Sequence, residues 1–252
     1  MNWRRLRLAA AVALCSVALG GCVYLHLLAM KRQLADFDQH FTLLQTDGIR
    51  LICRDPILLG EDFRWLGVLP ESTKKLGHAE RWLVRWVKEL PPGVSETTRH
   101  DLEIELMFVD GKLTQAYFPE RYFAFVPKPF FIGLVRGLGS ASVDRAKREA
   151  EVSFNAAERE RLVQRVMTTT LAMLLGKPTE QRVDGALTLL RYHYESTSPG
   201  LKAGVIDMEF TFDTAHGQLL RLQGRSPVGK LLFNFESPAP AQPAVTKSPI
   251  AP

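Results

Sequence analysis

Two stretches of this 252-residue chain carry the same succession of signals, and an internal repeat constrains a fold more than any single element does. The first runs over residues 63–119 and the second over residues 171–227. Leu66-Gly67 with Pro70 corresponds to Leu175-Gly176 with Pro178, Arg85-Trp86 to Arg191-Tyr192, and Pro92-Gly93 to Pro199-Gly200. The run EIELMF at 103–108 corresponds to DMEFTF at 207–212. Each copy then turns at a glycine, Gly111 or Gly217, and resumes with an apolar strand.

Both copies decode into the same elements. A helix is expected to stop at Gly67 or Gly176, where glycine takes the left-handed cap conformation and a nearby proline prevents continuation. Asp55-Pro56 offers an N-cap and an N1 proline for the first helix. Asn155 with Glu158 offers a capping-box pair for the second, whose apolar face carries Leu162, Val166, Thr169 and Met173. Three strands follow in each copy. Leu102, Ile104, Leu106 and Phe108 alternate with acids, as do Met208, Phe210 and Phe212, which is the period of a sheet wet on one side. Asp110-Gly111 is a hairpin signal. The strands before these are aromatic-rich, RWLVRW and LLRYHY, and KLTQAYF and QLLRLQG complete each small sheet.

Between the copies Pro127 and Pro129 interrupt the chain, and a helix of mixed charge is expected from about Ser142 to Ala150, with Ser140 or Ser142 as its cap. From Ser237 the tail is rich in Pro and Ala and cannot bury a core. The expected fold is therefore α+β, in two tandem lobes of a helical hairpin on a three-stranded antiparallel sheet. Its divisions are a signal or anchor segment at 1–32, repeats at 33–135 and 136–236, and a disordered tail at 237–252.

The order helix, LLGKP, aromatic strand RYHY, strand MEFTFD, turn and GQLLRL resembles the BamE, or small protein A, family of envelope lipoproteins. The same arrangement in tandem looks like the architecture of β-lactamase-inhibitor proteins. The resemblance covers residues 162–222 better than residues 57–117. It implies a non-catalytic binding module at the bacterial cell envelope, associated with assembly machinery.

The chain opens MNWRRLR and runs apolar from Leu8 to Met30, about 23 residues where roughly 20 cross a bilayer. A basic start followed by such a run is an export or anchoring signal, and the charge rule leaves the body on the outer side. Two readings stand. In one the run is a single span in the inner membrane with a periplasmic body. In the other Leu19-Gly20-Gly21-Cys22 resembles a lipobox and Cys22 is the lipidated residue of an outer-membrane lipoprotein. Either way the membrane is a partner, through an apolar anchor or acyl chains.

Little in the body points to catalysis. The six histidines are scattered without the spacing that puts two ligands on one helix face, so no metal, cofactor or catalytic residue is assigned. Cys53 stands alone in the body and reads as a small buried apolar residue. The net charge is +5 without a basic patch interleaved with aromatics, which argues against nucleic acid as a partner. The aromatic run at 117–131 is richer than one strand can hide. Tyr122, Phe123, Phe125, Phe130 and Phe131 are the candidates for contact with an envelope protein partner or a membrane. The function expected is a membrane-tethered protein-binding or scaffold module. An envelope hydrolase with an unrecognised site, or an inhibitor of a secreted enzyme, is the alternative.

Overall fold

The alternating segments do become strands, but they join one sheet instead of two lobes. The computed structural model describes residues 23–95, 100–123, 127–163, 175–198, 204–226 and 229–236. The chain begins with helix α1 (23–35), short helix α2 (Phe37–His40) and the hairpin β1 (Phe41–Leu44) and β2 (Gly48–Cys53). Helix α3 (Gly60–Trp65) leads into β3 (Ser72–Leu76), β4 (Ala79–Lys88), β5 (Leu102–Val109) and β6 (Lys112–Pro119). The order then recurs: helix α4 (Lys128–Gly137), hairpin β7 (Ser142–Asp144) and β8 (Glu149–Ser153), helix α5 (Ala156–Val163), then β9 (Glu180–Asp184), β10 (Leu187–Ser196), β11 (Val205–Asp213) and β12 (Leu219–Ser226). Strand β13 (Gly229–Asn234) has no counterpart among the described residues of the first half.

All thirteen strands form one sheet in the order β1-β2-β6-β5-β4-β10-β11-β12-β13-β8-β7, with β3 on β4 and β9 on β10. Every pairing is antiparallel except β13 with β8. This overturns the expectation of two separate lobes, each a helical hairpin on three strands. The duplication itself is visible, and it is larger than the sequence repeat. Each half is a helix, a hairpin, a second helix and a four-stranded meander, and β13 is inserted between β12 and β8 where β6 meets β2 directly.

The halves meet as a homodimer's subunits would, through a self-complementary junction. Lys88 pairs with Tyr194, Val87 with Glu195 and Trp86 with Ser196. Adding 108 to a residue number in β4 gives its equivalent in β10, so the Lys88–Tyr194 pair maps onto Ser196–Trp86 and the Val87–Glu195 pair maps onto itself. The flanking bonds obey the same rule. Glu89 N donates to His193 O at 2.9 Å and Thr197 N to Arg85 O at 3.2 Å. Both outer strand pairs carry a register shift at the positions the sequence repeat aligned, Met107/Phe108 and Thr211/Phe212. The meander register aligns Val84 with Tyr192, since they face Ile104 and Met208. Matching Arg85-Trp86 to Arg191-Tyr192 is thus two residues out, a slip that period two conceals because it preserves the face.

Ten strand steps of about 4.8 Å would hold β1 roughly 48 Å from β7 in a flat sheet, yet both ends touch α1, which is only about 20 Å long. Gln33 donates to Asp55 O, just beyond β2, at 2.8 Å. At the other end the backbone of Leu34 and Ala35 lies on Gly139, just before β7. The sheet therefore curls around its helices. Leu34, Phe37, Phe130 and Leu162 from the helices share a core with Trp82, Phe108, Tyr192 and Phe212 from the concave face. Gly133 of α4 admits Leu162 of α5, whose methyl would lie 2.3 Å from any Cβ there.

Local expectations divide along physical lines. Gly67 and Gly176 take positive φ, 79° and 68°. Asp110 and Gly111, at 48° and 79°, make the mirror-image turn that matches strand twist. The capping box forms: Glu158 N donates to Asn155 Oδ1 at 2.9 Å, and Asn155 N to Glu158 Oε2 at 3.1 Å. The first helix starts later than Asp55-Pro56 suggests, at Gly60, because the Asp62 carboxylate caps it by accepting from Leu59 N at 2.7 Å. Val166, Thr169 and Met173 lie outside the described residues.

The expected helix from Ser142 to Ala150 is the β7–β8 hairpin. Asp144 Oδ1 accepts from Ala146 N and Lys147 N at 2.9 and 3.1 Å, which stabilises a turn in place of a helix. Arg148 adopts φ 52°, and Val152 packs inward once β13 pairs with β8. Pro127 and Pro129 do not interrupt structure but open α4, as N-cap and first-turn residue.

The anchor expectation also changes. Residues 1–22, with Cys22, lie outside the described residues, as do residues 237–252. Among the described residues no helix is long and apolar enough to cross a membrane. Residues 23–30, the last third of the apolar run, belong to α1 and pack on the body through Leu27 and Met30.

Candidate binding face

Because successive strand residues point to opposite sides, the register that buries Trp82, Val84, Trp86, Leu190, Tyr192 and Tyr194 against the helices turns Arg81, Arg85, Val87, Arg191, His193 and Glu195 outward. The convex side of the sheet is thus a continuous polar face crossing the pseudo-twofold junction. Val87 and Glu195 stand on the axis, and Arg85 and His193 occupy equivalent places on either side.

Each half neutralises its outward cation with carboxylates. Arg85 donates through Nη2 and Nε to Asp101 Oδ2 at 2.5 and 3.2 Å, with Glu71 at 4.0 Å. Asp101 is buried, so it is not the solvated sheet-face acid its alternation suggested. In the second half Asp207 Oδ1 contacts His193 Nδ1 at 2.8 Å and accepts from Arg191 Nη2 at 3.1 Å. His193 Nε2 lies 3.8 Å from Glu195 and 3.9 Å from Glu89. The one nearby hydroxyl these bonds involve, Thr179 Oγ1, accepts from His193 N and donates to Glu89 O, so it is engaged with backbone. Among the described residues the His193–Asp207 contact is a cross-strand hydrogen-bonded node that engages no side-chain nucleophile.

Burial alone would raise the Asp207 carboxyl, but hydrogen bonds from His193 and Arg191 and their charges outweigh it and hold it below the ordinary carboxylate range. A carboxylate depressed in the fold stabilises above its unfolded value of about 3.9, and that contribution disappears as pH falls through the lower folded value. Denaturant midpoints of wild type and Asp207→Asn should differ by about 1 kcal/mol at pH 6, a figure kept small by partial solvent screening. The difference should close on acidification below about pH 4. A pH-independent difference would show that the Asp207 charge contributes nothing.

Of the aromatic candidates among the described residues, Phe130 is buried while Tyr122, Phe123 and Phe131 are half-buried. Phe130 is core, stacked on Phe235 at 5.8 Å. Phe131 packs on Phe118 at 4.7 Å and on Phe123 at 5.4 Å. Tyr122 hydrogen-bonds the Glu103 backbone and lies under Arg121. Phe125 lies outside the described residues. This cluster fastens α4 and the turn before it to the sheet. Cys53 is buried, and burial raises its thiol to about 11.

Two depressions on the described surface are shallow and open. One of about 150 Å³ on the convex face is lined by Glu180, Arg182, Leu189, Arg191 and Glu209. Another of about 270 Å³ lies between α1, α2 and Arg136. Small-molecule sites are typically enclosed, mostly apolar and roughly 300–1,000 Å³. Among the described residues no group of three or more His, Cys, Asp or Glu side chains gathers to hold a metal.

Sequence reasoning missed the junction because nothing in the period of β4 or β10 says that their last residues pair with one another. The equal spacing of Gly77 and Gly185 before the two aromatic strands was the available signal. Compared with protein-family models, curated proteins and solved structures, the chain matches none.

Proposed function

We propose that this is an exported envelope protein, held at the membrane by acyl chains on Cys22, whose convex sheet face docks another protein as a non-catalytic scaffold. The observation that carries the binding role is the face itself: continuous across two half-sheets, centred on Val87 and carrying a shallow depression lined by Glu180, Arg182, Leu189, Arg191 and Glu209. Protein interfaces favour such broad surfaces, with a few apolar residues inside a polar rim. Val87, 38 % exposed on the axis and ringed by Arg85, Glu89, His193 and Glu195, has that arrangement.

The lipid-held reading is supported by the use of residues 23–30 in the body. Only Leu8 to Gly21 then remain apolar, a stretch of about 21 Å as a helix against a hydrocarbon core near 30 Å. That is the length of an export-signal core, and LGGC ends it.

The test is a photo-crosslinking side chain placed at Val87 in the full chain, in intact cells of a Gram-negative host, with Val143 on edge strand β7 as comparison. A discrete protein adduct from Val87 and none from Val143 is expected. Adducts from Val143 alone would move binding to the sheet edge, and the absence of any adduct would remove the scaffold role.

A further inference from the structure

The structure places α1 between the two halves. His26, inside the apolar run, meets the buried Asp62 carboxylate through Nδ1 at 2.9 and 3.1 Å. Two residues earlier, Tyr24 lies under the Arg145 guanidinium from the β7–β8 turn at 4.4 Å. The start of α1 is thus fixed to α3 on one side and to the second hairpin on the other. No slack separates the export segment, which ends at residue 22, from the folded body.

Two large apolar side chains at this corner are left in water. Leu25, beside His26, is 61 % exposed, and Trp65, one helical turn beyond Asp62, is 51 % exposed. Residues three apart on a helix share a face, so Trp65 lies on the side of α3 that receives His26. Tyr24 and Arg145 complete the corner. Aromatic rings with an apolar body and polar tip, beside a long cation, are the composition of a membrane–water interface.

We propose that the corner formed by the start of α1 and the end of α3, with Leu25 and Trp65 at its surface, rests in the interfacial layer of a phospholipid bilayer. The occupant follows from where the export segment ends: the lipid-bearing Cys22 directly precedes Val23, the first residue of α1, so this corner is the part of the fold that lies nearest the lipid. The inference rests on the envelope reading above. It goes beyond that reading in fixing the orientation of the body, with α1 leading to the bilayer and no flexible tether.

Trp65 reports on this directly. Of the four tryptophans, Trp82 and Trp86 are buried and Trp3 is in the leader. The full chain, expressed with its own leader, would be recovered from membranes and reconstituted into vesicles of zwitterionic and anionic phospholipids. Brominated acyl chains should remove most of the exposed-tryptophan emission, and aqueous iodide should lose its access. Both effects should vanish in Trp65→Phe, which also accounts for Trp3 if the leader is retained. Leu25→Glu should restore iodide access while near-UV circular dichroism stays native. A Trp65 open to iodide and untouched by brominated lipid would overturn the proposal while leaving the envelope reading intact. Recovery of the chain from the cytosol would end both. Shielding that grows with protein concentration without lipid would assign the corner to a second copy and overturn the proposal too.

Discussion

Val87→Pro is expected to lower stability by about 3 kcal/mol or more and to flatten the denaturant transition, whereas Val87→Ala should cost under about 1 kcal/mol. The bonds from Glu89 N to His193 O and from Thr197 N to Arg85 O lie two residues to either side of the Val87–Glu195 pair. Antiparallel ladders alternate bonded and open pairs, so Val87–Glu195 is itself a bonded pair and its N–H is what proline removes. Only three residue pairs join β4 to β10. Losing the central one weakens a junction otherwise held by the two flanking backbone bonds, by Ser198 Oγ on Leu69 O and Thr179 Oγ1 on Glu89 O, by the Gly67–Gly204 contact and by the helices. Urea denaturation followed by tryptophan fluorescence, which reports Trp82 and Trp86 of the first half, and by far-UV circular dichroism, which reports both halves, should give separate midpoints in the proline variant and one in wild type. Equal costs for proline and alanine would mean that the halves are not joined through this pair in solution.

Gly139→Ala should be nearly as damaging. A Cβ there would lie 2.4 Å from Ala35 N, 2.5 Å from Leu34 C and 2.6 Å from Ala35 Cα, all backbone atoms that cannot rotate aside. The end of α1 would have to lift, unpacking Leu34 and Phe37 from the core. Overpacking of this kind costs about 3 kcal/mol when the neighbour cannot yield. Gly224→Ala, whose nearest contact would be an ordinary 4.0 Å, is the control and should leave the midpoint within about 0.5 kcal/mol. A Gly139→Ala midpoint matching this control would show that α1 does not dock on the 138–140 turn.

What could be read in the sequence follows from which interactions are local. Strands β5 and β11 were legible because Leu106, Phe108, Phe210 and Phe212 must be buried while Glu103, Glu105 and Glu209 stay wet, and that alternation is written along the chain. The turn at Asp110-Gly111 and the cap at Asn155 and Glu158 are equally local. Strands β3 and β9 were illegible for the opposite reason. Every one of their residues is exposed, so STKKL and EQRVD have no inward face to betray them, and they are strands only because β4 and β10 offer hydrogen bonds. The β7–β8 hairpin was misread because its charges resemble a solvated helix, whereas its partner β13 lies about 80 residues downstream. Within the aromatic run at 117–131, the burial of Phe130 was not legible, because it is set by α4 lying inside a curled sheet against Phe235. Of the binding face, its acids and arginines were visible singly. Their assembly around Val87 was not, because two distant strand ends create it.

The self-mating junction also has a consequence for how the protein is made. A chain is synthesised from its N-terminus, and β10 emerges 108 residues behind β4. During that interval the outer end of β4, with Trp86 and Lys88, is an open hydrogen-bonding edge of a kind that invites foreign strands. Its correct partner is a near-copy of itself, so the first half of a neighbouring chain offers almost the same edge. Crowded synthesis should therefore favour exchanged pairs, in which β4 of one molecule mates with β4 or β10 of another. Residues 89–95, with Pro91, Pro92 and Gly93 among them, follow directly from that edge. Holding factors that mask unpaired strands would set the yield of correctly paired chains, and the fold's symmetry, an advantage once complete, is its hazard while half-finished.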